Sequence, residues 1–315
     1  MKSLAQSYLG VNYELRPAKQ VERRMIIDAL HTLSLQGLQI RDYQYTGFGS
    51  VYFVDFVLFH RLLGIQRMLS VEADTTIEKR VRFNKPFKHI DIEMVPAGDV
   101  IPALSRDLRH LLWLDYDDRL LDTHLSDVRM AAFHLSRGSI ILVTVDVEPP
   151  GDSCSDPQEW YAYYQRQAGN LFDEAWNLQD FAAGKLPGVT GALLARAIDS
   201  GLAARPEIKF WPLFKFLYAD GHQMLTLGGM LGGDEERRLI DGSKLNDACY
   251  MRLDPDAPPY EIRVPKVTRK ERLYLDQHMP CCNGWHPPEF EFSADSVEAY
   301  REIYRFFPAY AELLL

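Results

Sequence analysis

The chain has 315 residues, 47% of them hydrophobic and 25% charged, and a formal net charge of −9 at pH 7. That length supports one large α/β domain with insertions, or a core domain plus a smaller one. No apolar run approaches the roughly 20 residues of a bilayer span, and the acidic balance counts against a surface devoted to nucleic acid, whose phosphates are held by clustered Lys and Arg.

The N-terminal stretch shows neither a long apolar centre nor a small-residue cleavage site, and Cys154, Cys249, Cys281 and Cys282 fall into no C-x-x-C spacing. Both features point to a reducing, cytoplasmic setting with no membrane partner. Apolar positions Val21, Met25, Ile26, Leu30 and Leu33, mostly three to four apart, predict a helix over Pro17–Leu35. Cations in its N-terminal half oppose the helix dipole, so Arg16, Lys19 and Arg23 are candidate substrate or anion-binding residues, with ion pairs inside the fold as the plainer reading. Further basic stretches at 79–88 and 266–272 read as solvated helix faces.

A strand over 43–46 runs into a turn at Gly47, Phe48 and Gly49, then a helix through Phe53, Phe56, Val57, Phe59 and Leu62 that Gly64 ends. A second strand, Arg67–Val71, closes on Glu72. A basic helix over 76–83 leads into a third strand, 90–95, whose exit carries Gly98 and Asp99. A fourth strand, 110–115, precedes a helix through Leu121, Leu125, Val128 and Phe133, and Gly138 turns the chain into a fifth, 140–145. This alternation implies right-handed crossovers and a mostly parallel sheet covered on both faces.

Beyond Glu148, Pro149-Pro150-Gly151-Asp152 signals a loop, and 156–202 reads as helices broken near 184–188, an insertion or cap. Apolar runs at 214–218 and 223–227 flank Ala219-Asp220-Gly221-His222, a hairpin signal. A polar, Gly-rich segment (228–243) and a strand candidate (260–264) follow. Last comes an amphipathic helix capped by Ser293, which covers its own core or a partner chain, so the oligomeric state stays open. The chain divides into a cofactor-binding core (1–150), a helical insertion (151–210) and a sheet-closing hairpin with a C-terminal segment (211–315).

Glycines after the first strand let the backbone approach a ligand, and an acid at the tip of the next strand can accept hydrogen bonds from a ribose diol. Tyr52 stands where a dinucleotide fingerprint needs a third small residue, and a further acid, Asp99, suits an adenine amino group. On these residues, over roughly 43–146 and the hairpin, the chain resembles the class I S-adenosylmethionine-dependent methyltransferases. Its 113–146 stretch loosely resembles the small-molecule O-methyltransferases.

The resemblance implies an α/β, Rossmann-like methyltransferase fold: a central, mostly parallel seven-stranded sheet with an antiparallel hairpin, plus the helical insertion. It implies S-adenosylmethionine as cofactor, with Thr46, Gly47, Phe48, Gly49 and Ser50 under the methionine part. Glu72 with Ala73 would bind the ribose, Gly98 and Asp99 would lie near adenine, and Asp115 and Tyr116 would face the methyl group and the substrate. Two positions depart from the pattern: Tyr45 replaces the usual acid before the first glycine, and Val51 replaces the third glycine.

Asp115 is the candidate base or positioning residue and Tyr116 a cation–π partner for the sulfonium; a helix-capping Asp and a core Tyr are the structural alternatives. In cation-dependent members the metal-binding places at the end of the fifth strand would fall near Thr144 and Val145. A set of Asp115, Asp146 and Glu148 is a weak match, and adjacent cysteines give His278, Cys281, Cys282 and His286 poor tetrahedral geometry. No metal is expected. The expected function is methyl transfer to an unidentified acceptor. The alternatives are a non-catalytic nucleoside-binding sensor or scaffold and an enzyme modifying RNA or a nucleotide.

Overall fold

The computed structural model describes residues 16–148 and 156–308. The loop expected at 149–152, Cys154 and the last residues of the chain lie outside them. Helix α1 (Pro17–Leu35) starts on a proline at its first turn and buries Val21, Met25, Ile26, Leu30 and Leu33 as one stripe. Strand β1 (Gln44–Gly47) feeds α2 (Val54–Leu63), which ends at Gly64 with φ +73°, a left-handed cap that glycine adopts without steric cost.

Next come β2 (Arg67–Val71), α3 (Glu78–Asn84), β3 (Ile90–Glu93), the short α4 (Ala97–Val100), β4 (His110–Arg119), α5 (Asp122–His134) and β5 (Ile140–Asp146). The chain continues with α6 (Pro157–Ala168) and α7 (Leu186–Leu202), joined by 3-10 turns. The chain then forms β6 (Lys209–Ala219), β7 (Gln223–Gly232), α8 (Asp234–Gly242), β8 (Tyr260–Ile262), α9 (Arg269–Gln277) and α10 (Ala294–Ile303).

The strands make one sheet in the order β3-β2-β1-β4-β5-β7-β6-β8. β3, β2, β1, β4 and β5 run parallel, β7 is antiparallel to both β5 and β6, and β8 is parallel to β6. The sheet therefore has eight strands where seven were expected. The extra strand sits at the edge, pairing Phe216 with Tyr260, and its alternation of buried Tyr260, exposed Glu261 and buried Ile262 is that of a one-sided edge strand.

Two other elements differ from expectation. β4 continues past Asp115 to Arg119 through a register shift, so its polar half remains paired with β5. The strand expected at 223–227 runs on into the Gly-rich segment. This extension is the second half of β7, where a side chain at Gly228 would strike Leu142 and Phe214 and one at Gly229 would strike Phe210 and the Trp211 carbonyl.

Alternate residues of β4 and β5 face two cores. Leu111, Trp113 and Leu142 pack with α1 and α2, whereas Leu112, Leu114 and Val143 pack with α5 and α7. Gly201 lets α7 lie close against the Arg129 carbonyl of α5. Cys249, Cys281 and Cys282 are free thiols, and no described helix is long and apolar enough to cross a membrane.

Candidate functional site

The carboxyl ends of β1, β2, β3 and β4 lie side by side, and the sequence-predicted residues gather on that rim. After β1 the chain turns through Phe48, Gly49 and Ser50, with Ser50 at φ +48° and Phe53 at φ +51°. Two non-glycine residues in the left-handed region within four positions form a constrained turn, a conformation that costs roughly 1–2 kcal/mol at each. The glycines answer the fold's own packing. A Cβ at Gly47 would lie 2.5 Å from the Tyr45 hydroxyl, and one at Gly49 would strike Ser70 Oγ and the Phe53 ring. Val51, at the place of the third glycine, is buried in the core.

The acids are in register. Glu72 follows β2 half-buried, its backbone N–H donating to Glu93 and its Oε1 accepting from the Asp74 N–H at 3.0 Å. Burial raises its pKa above the ordinary carboxylate range. Ala73 and Asp99 are exposed on the same rim. A Cβ at Gly98 would come 2.8 Å from Asp127 Oδ1, and Asp127 Oδ2 accepts the Tyr116 hydroxyl at 2.7 Å. The Tyr116 ring stacks on His124 at 3.7 Å and meets Phe48 edge-on at 5.3 Å. The buried hydroxyls of Thr46 and Ser70 find no hydrogen-bond partner among the described residues. The half-buried and exposed acids beside this tight turn form a set of acceptors of the kind that the diol and amino group of a nucleoside donate to.

Asp115, in β4, is engaged from α1. Lys19 Nζ, fully buried, lies 2.7 Å from Asp115 Oδ1, 2.9 Å from Glu22 Oε2 and 4.3 Å from the centre of the Trp113 ring. Arg23 is bonded to buried Asp55 in the first turn of α2, and Arg16 lies 3.8 Å from Asp117. Burial alone would raise the Asp115 pKa, but Lys19, Arg16 and Arg23 outweigh it and hold the carboxyl below its ordinary value. Glu22 goes the other way, because its complete burial exceeds the attraction of Lys19 and raises its pKa.

The hairpin completes this corner: Asp220 accepts the N–H groups of Ala18 at 3.1 Å and Lys19 at 2.8 Å, capping α1 from 200 residues away. The basic cluster on α1 thus serves carboxylates of the fold. Glu22, Asp55, Asp127 and Asp220 were missing from the candidate site. A lone Glu in the apolar stripe of α1 and an Asp opening the otherwise apolar α2 were the available signals. Among the described residues the metal-ligand side chains that converge are Asp146, Glu148 and His222, and not the set around Cys281.

A model of the family described as "Putative O-methyltransferase" matches residues 11–315. No curated protein matches the chain. It is distantly similar to cofactor-bound Rv0187 from MTB, at 14% identity over 73% of this chain and 94% of that one, with a TM-score of 0.37. For the O-methyltransferase from Bacillus cereus in complex with SAH the figures are 13%, 67%, 90% and 0.35. For Trm1 from Pyrococcus horikoshii with S-adenosyl-L-methionine they are 12%, 70%, 58% and 0.39. Likenesses this distant carry no argument about acceptor or chemistry.

Proposed function

The chain belongs to this family of O-methyltransferases, and from that premise we propose that it methylates a hydroxyl-bearing acceptor at the exits of β1 to β4, with S-adenosylmethionine as the methyl donor. One observation supports the placement: the glycine turn follows β1, Glu72 follows β2, Asp99 lies in α4 beyond β3 and Asp115 lies within β4, so all four stand toward the carboxyl side of adjacent parallel strands, where open α/β sheets bind ligands. When bound, the cofactor supplies an electrophilic methyl group on a positively charged sulfur.

Glu72 would hold the ribose diol, Asp99 with Asp127 the adenine amino group, and the turn at 46–50 the methionine part. Lys19 engages one oxygen of Asp115, and the other would orient the acceptor hydroxyl while the methyl group arrives in line. The surrounding cations hold Asp115 in its ionised form, so it orients the hydroxyl and stabilises the positive charge that develops there, and the proton the hydroxyl loses passes to solvent as the C–O bond forms and the carbon–sulfur bond breaks. Lys19 and Arg23 spend their charge inside the fold, which counts against phosphate gathering for RNA.

A nucleoside-binding module without turnover is the second reading. It is favoured by Tyr45, which fills the core between Phe56 and Phe59 where the resemblance places an acid. Transfer of a labelled methyl group to a panel of phenols and alcohols separates the two. The enzyme reading predicts that Asp115→Asn retains cofactor affinity while transfer falls about 100-fold through lost positioning of the acceptor. Cofactor binding by the wild-type protein with transfer to no panel member favours the module.

A further inference from the structure

From the side chains gathered between the end of β5 and the tip of the β6–β7 hairpin we infer a divalent-cation site formed by Asp146, Glu148 and His222. The three donor atoms lie within 4.8 Å of one another, with His222 Nδ1 3.2 Å from Glu148 Oε2 and 3.6 Å from Asp146 Oδ2. Ligands in neighbouring positions around an octahedral ion with bonds of ~2.2 Å stand ~3.1 Å apart, so the two separations to His222 are close to that spacing and the third pair lies within 4.8 Å.

The frame is held by backbone. Asp146 Oδ1 accepts the Glu148 N–H at 2.7 Å, which leaves Oδ2 on the His222 side. The Val147 N–H donates to the Gln223 carbonyl at 2.8 Å, and the Gln223 N–H donates to Glu148 Oε2 at 3.1 Å. Asp146 itself is paired in register with Met224 of β7 and Arg119 of β4. Next to His222, Asp220 pins the same hairpin tip to α1. The donors are therefore carried by a strand end and a docked hairpin rather than by free loops.

The set differs from the one the sequence made available. Asp115 is taken by Lys19, while Thr144 is buried in hydrogen bonds with Trp113 and Thr226, and Val145 is buried. His222 supplies the third donor from a segment about 75 residues further along the chain. Two carboxylates and one imidazole suit a cation of intermediate hardness such as Mn²⁺; the nitrogen donor disfavours Mg²⁺, and the absence of thiolate from this set disfavours softer ions. The bound ion would tie the hairpin to β5 beside the proposed acceptor side of the sheet.

The test is Mn²⁺ titration of the metal-stripped full chain, followed by electron paramagnetic resonance and by thermal unfolding, without cofactor or acceptor. The readout is therefore separate from the methyl-transfer reading. The expected result is one tightly held Mn²⁺ per chain and a rise in Tm with Mn²⁺. His222→Ala and Glu148→Gln, both changes at solvent-accessible side chains, should each weaken binding at least 10-fold and abolish the rise. Absence of bound Mn²⁺ at millimolar concentration, or binding that both variants leave unchanged, would overturn the site. So would displacement of Mn²⁺ by an equal concentration of Mg²⁺, which would mark a merely acidic surface.

Discussion

Lys19 and Glu22 sit on consecutive turns of α1 with side chains fully shielded from water, and together with Asp115 they leave two carboxyls competing for one ammonium. Asp115 has the additional support of Arg16 and Arg23 and stays ionised, whereas Glu22 carries the cost of burial. An acid whose folded pKa is raised binds more protons folded than unfolded, so its contribution to stability falls as pH rises above its unfolded value of about 4.3. Glu22→Gln removes that titration. The Tm of the variant minus that of the wild type is therefore expected to grow between pH 4 and pH 8, and a difference independent of pH in calorimetric scans would contradict the account. The reading of Arg16, Lys19 and Arg23 as fold-internal pairs was available from the dipole argument. Their partners were not, because Asp115, Asp117 and Asp55 reach them only through the tertiary arrangement of β4 and α2 against α1.

Elements with a strong local signal were legible. Pro17 and the apolar stripe bound α1, Gly64 ends α2, and Ser293 caps α10 by accepting the Ser296 N–H, each where the pattern placed it. The misread ones carried the opposite local signal. The far half of β4 is polar, and the far half of β7 is rich in glycine because neighbouring strands and aromatic rings fill the space of a side chain. The hairpin turn was legible as a turn, but not as the cap of α1. Asp220→Ala removes a carboxylate that accepts two N–H groups at that helix terminus and is expected to cost roughly 1–2 kcal/mol in urea unfolding. Asp220→Asn, which keeps an acceptor oxygen, should recover part of the loss, and an unchanged midpoint in Asp220→Ala would show that the cap carries no stability.

At the scale of the whole molecule, the order of the sheet brings four strand ends together from a stretch of some 75 residues, and α1 and the hairpin, 201 residues apart at the Lys19–Asp220 contact, meet on the same rim. The alternation of strands and helices made that sheet foreseeable, including the late antiparallel strand. The eighth strand was foreseen as a strand but not as part of the sheet, since three residues at an edge offer little periodicity. The sequence singles out the glycine turn and its acids as a set, and the structure assigns the glycines themselves to packing. The weight of the cofactor proposal therefore rests on Glu72 and Asp99. Calorimetric titration with S-adenosylmethionine and its demethylated product, with NADH as the control, measures this most directly. The account predicts that both adenosyl compounds bind, that NADH does not, and that Glu72→Ala weakens both by 10-fold or more while the protein stays folded; adenosyl binding that Glu72→Ala leaves unchanged, or no adenosyl binding at all, would contradict it.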